Sequence, residues 1–211
     1  MRTVLFFAIV TTAILFTSCG SRKITTNDFD PGPDLGYDSG VVINGIRWAT
    51  RNVAAPGAFA ARPEDPGMLF QWGRQQGWAA TGEVIGWNSL NPAGREWEPE
   101  NNPCPKGWRI PTMDELRNLN RVAGEWTTVN GVNGRMFGTA PYQIFLPAVG
   151  LRHMWNNGQL AKEGVAGYYW SSTRAGVSTA RVLWFNSTAV NVPSSHPRAV
   201  GFSVRCVAKS I

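Results

Sequence analysis

Histidine, cysteine and charge are all scarce in this sequence. Its 211 residues hold two histidines and three cysteines, and only 16% are charged. A disordered chain would carry more charge and fewer apolar groups, so 43% hydrophobic residues argue for a folded domain. Neither a glycine triplet nor a sustained heptad occurs, which excludes collagen-like and coiled-coil architectures. No Gly-x-Ser-x-Gly elbow, phosphate loop or dinucleotide fingerprint is present. His153 and His196 each sit among turn formers without a carboxylate neighbour, so neither is expected to act as a catalytic base. Charge of one sign does not dominate either. Lys and Arg number 20 against 14 Asp and Glu, and the arginines are scattered from Arg47 to Arg205. Without a basic helix or an aromatic-interleaved basic stripe, no nucleic-acid partner is expected.

Tryptophan, glycine and proline are plentiful, at 10, 23 and 14 residues. That mixture describes one loop-rich, aromatic domain of ordinary size. Glu96, Glu98 and Glu100 alternate around Trp97 and Pro99, with Asn101 and Asn102 following. Oxygen ligands so close together would suit calcium, but a solvated loop accounts for them more simply. No metal and no cofactor is expected.

The N-terminus reads as an address. Arg2 precedes an apolar run from Val4 to Phe16, too short to span a bilayer as a mature helix. The run leads into Leu15-Phe16-Thr17-Ser18-Cys19-Gly20, a small-residue cut site. It resembles a bacterial lipoprotein signal in which Cys19 becomes the acylated first residue, although Phe16 stands where leucine is usual. Residues 1–18 are therefore expected to be a signal peptide and 19–40 a flexible, polar tether. The tether includes Asp28, Pro31, Pro33, Asp34 and Gly36, too little apolar surface to offset the entropy of ordering. The folded domain is expected at 41–211. This arrangement implies an outer-membrane lipoprotein, at the cell surface or on the periplasmic face, touching the membrane only through its lipid.

With Cys19 acylated, Cys104 and Cys206 remain as an even pair in an oxidising compartment. A bridge would close a loop of roughly 100 residues and contribute about 4–5 kcal/mol in the chain-entropy model. Two buried free thiols are the alternative.

Short strands dominate the remainder. Val41 to Trp48 carries β-branched residues on both sides of Asn44-Gly45, a hairpin signal. Further strands are predicted at Met68–Trp72, Gln143–Val149, Tyr168–Thr173, Ala180–Phe185 and Phe202–Val207. Residues 73–103 read as a long loop packed down by Trp78, Trp87 and Trp97. One helix is predicted from Met113. Thr112 and Glu115 form a capping box, Met113, Leu116, Leu119 and Val122 supply the apolar stripe, and Gly124 stops it. One helix among many strands makes the class α+β.

Three segments carry a family resemblance. The first joins Gly45-Ile46-Arg47-Trp48-Ala49-Thr50-Arg51-Asn52-Val53 to Met68-Leu69-Phe70-Gln71-Trp72-Gly73. The second is Cys104-Pro105-Lys106-Gly107-Trp108-Arg109-Ile110-Pro111-Thr112. The third runs through Leu146-Pro147-Ala148-Val149-Gly150-Leu151-Arg152 and Tyr168-Tyr169-Trp170-Ser171-Ser172 to Ser203-Val204-Arg205-Cys206-Val207. Together they resemble the Fibrobacter succinogenes major paralogous domain, carried by exported lipoproteins of gut Bacteroidetes. The resemblance implies a C-type-lectin-like fold, related to formylglycine-generating-enzyme-like domains: a small, twisted, mainly antiparallel sheet, one or two helices and long ordered loops. Enzymes of that group use active-site cysteines with copper. Here the two remaining cysteines align with the family's structural pair, so no enzymatic activity is expected.

The resemblance also implies a variable strand-loop-strand surface between Trp-Ser-Ser and the terminal Arg-Cys-Val block. Its candidate ligand-binding residues are Arg174, Val177, Ser178, Trp184, Asn186, Ser187, Ala189, Asn191, Ser195 and His196. Scatter of this kind within an intact frame resembles the variable proteins of diversity-generating retroelements. If Leu183 and Phe185 point inward, alternation along the strand turns Trp184 outward as a ligand contact. Arg109, Arg198 and Arg205 are expected to satisfy carbonyls or carboxylates. The resulting expectation is an adhesin-like protein that binds a glycan or a surface protein. A structural part of a surface or pilus assembly is the alternative.

Overall fold

A computed structural model describes residues 37–122 and 124–209; Cys19, the signal segment and most of the tether lie outside them. The chain runs through β1 (Val41–Ile43), β2 (Ile46–Trp48), β3 (Val53–Ala55), β4 (Ala58–Phe59), β5 (Met68–Gln71), β6 (Gly77–Ala79) and β7 (Trp108–Arg109). Helix α1 (Met113–Asn120) follows, then β8 (Gly124–Val129), β9 (Val132–Thr139), β10 (Tyr142–Pro147), β11 (Leu151–Arg152) and β12 (Leu160–Ala161). The last strands are β13 (Gly167–Arg174), β14 (Thr179–Phe185), β15 (Val190–Pro197), β16 (Gly201–Phe202) and β17 (Val207–Ala208). All named strand pairs are antiparallel, and α1 is the single α-helix among the described residues. The class is α+β.

Turn chemistry sets the hairpins. Asn44 and Gly45 take φ of 48° and 79°, the left-handed pair that a two-residue turn between twisted strands requires. Val41 consequently pairs with Trp48. Asn130 and Gly131 do the same at 47° and 83°, joining β8 to β9 in a hairpin not anticipated from the sequence. Strand β2 lies between β1 and β17, so the first and last described strands share one sheet, ordered β1-β2-β17-β7.

Helix α1 has its capping box. The Glu115 amide donates to the Thr112 hydroxyl at 3.2 Å, and the Thr112 amide donates to the Glu115 carboxylate at 2.7 Å. The helix ends at Asn120 with Arg121 as its cap, before the expected stop; Gly124 instead opens β8. Strand 202–207 is also interrupted, because Val204, Arg205 and Cys206 leave the ladder between β16 and β17. Cys104 and Cys206 are bonded, with Cα atoms 6.1 Å apart.

Two cores sit on opposite faces of the β13-β14-β15 sheet. Tyr169, Leu183 and Phe185 pack with Met113, Leu116 and Leu119 of α1 and with Phe137 and Ile144. Tyr168, Trp170, Ala180 and Val182 pack instead with Phe70, Trp72, Phe202 and Val204. Successive side chains of one strand thus enter different cores, as the two-residue period dictates. Both faces are buried, which explains the near-continuous apolar run in β13.

Residues 73–103 contain β6 and a single 3-10 turn at Pro99–Asn101, and otherwise no regular element. Trp78 and Trp97 are buried in this loop. Trp97 meets Trp72 edge-on at 5.7 Å, and Trp78 meets Trp87 at 5.1 Å. Buried arginines from the second half of the chain complete the anchoring. Arg198 donates to the carbonyls of Gly94 and Pro92 with its guanidinium 5.0 Å from the Trp72 ring centroid. Arg109 forms a two-point pair with Glu115, at 2.7 and 2.6 Å.

Candidate ligand-binding face

Strand β15 is the edge of its sheet, and its register with β14 decides which candidate residues share a face. Phe185 pairs with Val190 and Trp184 with Asn191. A bulge then shifts the register, after which Val182 pairs with Ser194, Arg181 with Ser195 and Ala180 with His196. Directly paired residues lie on one face. The extra residue in β15 therefore reverses its parity. Asn191, Ser194 and His196 end up on the same side as Trp184, facing the Tyr168–Phe202 core. Val190 and Val192 lie before the bulge and pack into the opposite core.

Of the ten expected residues, this face gathers Trp184, Asn191 and His196. Ser195 pairs with Arg181 and belongs to the opposite face. Asn186, Ser187 and Ala189 occupy the turn beyond the end of β14. There the Asn186 carboxamide oxygen accepts from the backbone amides of Thr188 and Ala189, at 2.9 and 2.8 Å. Arg174, Val177 and Ser178 lie at the other end of β14, about 20 Å away along the strand. Arg174 folds its Nε back onto the Gly176 carbonyl at 2.6 Å, while Val177 is 83% exposed. Ser195 aside, the residues thus lie along one face of β14–β15 and in the turns at its two ends, with Arg174 and His196 both paired to Ala180.

Trp184 differs from expectation. It is half-buried, packed against the first core with its ring 6.4 Å from Tyr168, because the sheet is covered on both sides. His196 meets Tyr168 and Phe202 edge-on, at 5.6 and 5.2 Å. Burial lowers the His196 pKa from its usual value and raises that of the Tyr168 phenol. Tyr168 and Phe202 stack with ring centroids 4.9 Å apart. Tyr168 and Phe202 are themselves buried, so the accessible part of this face is the edge formed by the half-buried Trp184 and His196 with exposed Asn191 and partly exposed Ser194. Ser194 joins this face only because of the bulge, which falls at Val192-Pro193, where proline cannot donate to the ladder and is tolerated at an edge strand or a bulge.

Glu96, Glu98 and Glu100 are exposed. Among the described residues, no cluster of three or more His, Cys, Asp or Glu side chains is placed to hold a metal ion. No helix among them is long and apolar enough to cross a membrane. No protein-family model matches the chain, and no curated protein or solved structure matches it either.

Proposed function

We propose that this chain is an exported, lipid-anchored binding protein of the Fibrobacter succinogenes major paralogous kind. In this reading it has a C-type-lectin-like fold and presents the β14–β15 face to a glycan or surface-protein ligand. The observation that carries the reading is the β15 bulge, which turns Asn191, Ser194 and His196 toward one side beside Trp184. The rigid sheet beneath fixes their spacing, and preorganised groups lose little freedom on binding. The bonded Cys104 and Cys206 count against thiol-based catalysis of the formylglycine-generating type. Diversification of residues 174–200 by a retroelement belongs to the same proposal, and a template repeat beside the gene is its test.

A glycan-array and surface-protein screen of the full chain, run beside Trp184→Ala with Asn191→Ala, tests the binding reading. Binding that disappears in a variant with unchanged thermal unfolding supports the face. Binding that persists, or no binding to any ligand, overturns it, the latter in favour of an assembly role.

A further inference from the structure

A cavity of about 490 Å³ lies away from that face, between residues 82–84 and the segment 156–163. Its two walls hang from one buried cation. Arg152, 1% exposed, donates from Nε to the Ala79 carbonyl at 2.7 Å and from Nη2 to those of Thr81 and Gly82 at 3.1 and 2.8 Å. From Nη1 it donates to the Gly158 carbonyl at 2.6 Å. Four of its five donors are spent on backbone, so Arg152 builds the site and has little left to offer an anion.

The opposite wall is a left-handed turn. Asn156, Asn157 and Gly158 take φ of 54°, 51° and 70° in succession. Side-chain-bearing residues seldom adopt that conformation, and asparagine tolerates it best after glycine. The turn places two carboxamides at the cavity. Gln159, Glu83 and Glu163 add a third amide and two carboxylates, and all five side chains are exposed.

That lining selects a ligand class. Two carboxylates with no free cation repel an anion. Among the described residues no three acidic, imidazole or thiol side chains converge there as a metal cluster. An apolar molecule would strip water from five polar groups without replacing it. A small neutral molecule dense in hydroxyls satisfies all of them, since each hydroxyl both donates and accepts. The volume falls within the range of small-molecule sites. Outside the lining but next to Asn156 in the chain, Trp155 is 60% exposed and stacked on His153 at 6.4 Å and 11°.

We propose that this pocket binds a neutral mono- or disaccharide through Asn156, Asn157, Gln159, Glu83 and Glu163. It is a second site, independent of the β14–β15 face. Saturation-transfer NMR on the full chain tests it with glucose, galactose, mannose, N-acetylglucosamine, cellobiose, maltose and lactose, with sialic acid as the anionic control. Asn157→Gly keeps the left-handed backbone and removes the amide; it is combined with Gln159→Ala. Glu163→Gln serves as a single, milder change. The expected result is transfer to at least one neutral sugar, weakened tenfold or more by the double variant, weakened by Glu163→Gln and unchanged by Trp184→Ala. Absence of transfer to every neutral sugar at about 10 mM overturns the proposal, because a useful site binds more tightly than that. Wild-type affinity in the folded double variant, preference for sialic acid, or loss in Trp184→Ala alone overturns it equally.

Discussion

The side-chain oxygen of Asn52 accepts from both Nε and Nη2 of Arg205, at 3.0 and 2.8 Å, where both residues are buried. Arg205 also donates to the Ala49 and Phe145 carbonyls, so a buried cation is held by neutral oxygens. Burial pushes its pKa down to about 10. Removing the amide strands two charged donors. Asn52→Leu is expected to cost about 3–5 kcal/mol in denaturant unfolding, and Arg205→Lys to be costly too, because an ammonium cannot reproduce the fork. A loss below about 1 kcal/mol for Asn52→Leu would show that water replaces the amide.

Tyr169 sets an alkaline limit. Its hydroxyl donates to the Pro147 carbonyl at 2.8 Å, and full burial pushes its pKa up to about 12 from 10.0. The folded state therefore holds this proton longer than the unfolded chain does. The associated stability is complete below pH 10 and falls away as pH rises toward 12, by about 2–3 kcal/mol. Comparing unfolding free energies of the wild type and Tyr169→Phe across that window isolates the effect. Parallel profiles would contradict it.

His196 works at the acidic end. Burial lowers its pKa from 6.5, so the unfolded chain takes up the proton first as pH falls. Stability on this account is complete above pH 6.5 and declines through the lowered pKa, as a charge is forced against Tyr168 and Phe202. His196→Gln should flatten the acid limb of the stability profile, read by thermal unfolding between pH 4 and 7. Ligand binding at the β14–β15 face should weaken over the same range.

The Cys104–Cys206 bond closes a loop with a sequence separation of 102. Cys104→Ala with Cys206→Ala is expected to lower stability by about 4–5 kcal/mol, with most of the change in the unfolded ensemble. The bond also predicts that denaturation without reductant frees neither thiol, which a thiol-specific reagent counts directly.

Local rules carried the sequence reading well where chemistry was concentrated in a few residues. Asn44-Gly45, the Thr112–Glu115 box and the alternation in Ala180–Phe185 each specify a conformation on their own, and the described structure has all three. Asn130-Gly131 carries the same hairpin signal, but Gly124, Gly134 and Gly138 dilute the strand character around it. The β15 bulge and the three-residue left-handed turn at Asn156–Gly158 are legible only in part: Pro193 marks an edge or bulge and Asn-Asn-Gly marks a turn, but neither fixes the register or three successive positive φ angles. Both details are set by pairing with near neighbours, the β14 ladder across a short turn in one case and the Arg152 guanidinium six residues before Gly158 in the other, and residue type alone does not specify that pairing. Alternation assigns Trp184 a side but not what lies on it; here that side holds a core, and Trp184 is half-buried.

Because β2 is hydrogen-bonded to β17 as well as to β1, the first hairpin has no complete sheet to join until Val207 has been synthesised. A nascent chain carrying everything but its last residues would still present an open edge at Trp48 and leave Cys104 without its partner. Contacts spanning almost the whole domain make folding slow and late. A premature stop near the C-terminus should therefore yield a protease substrate rather than a shortened but working protein.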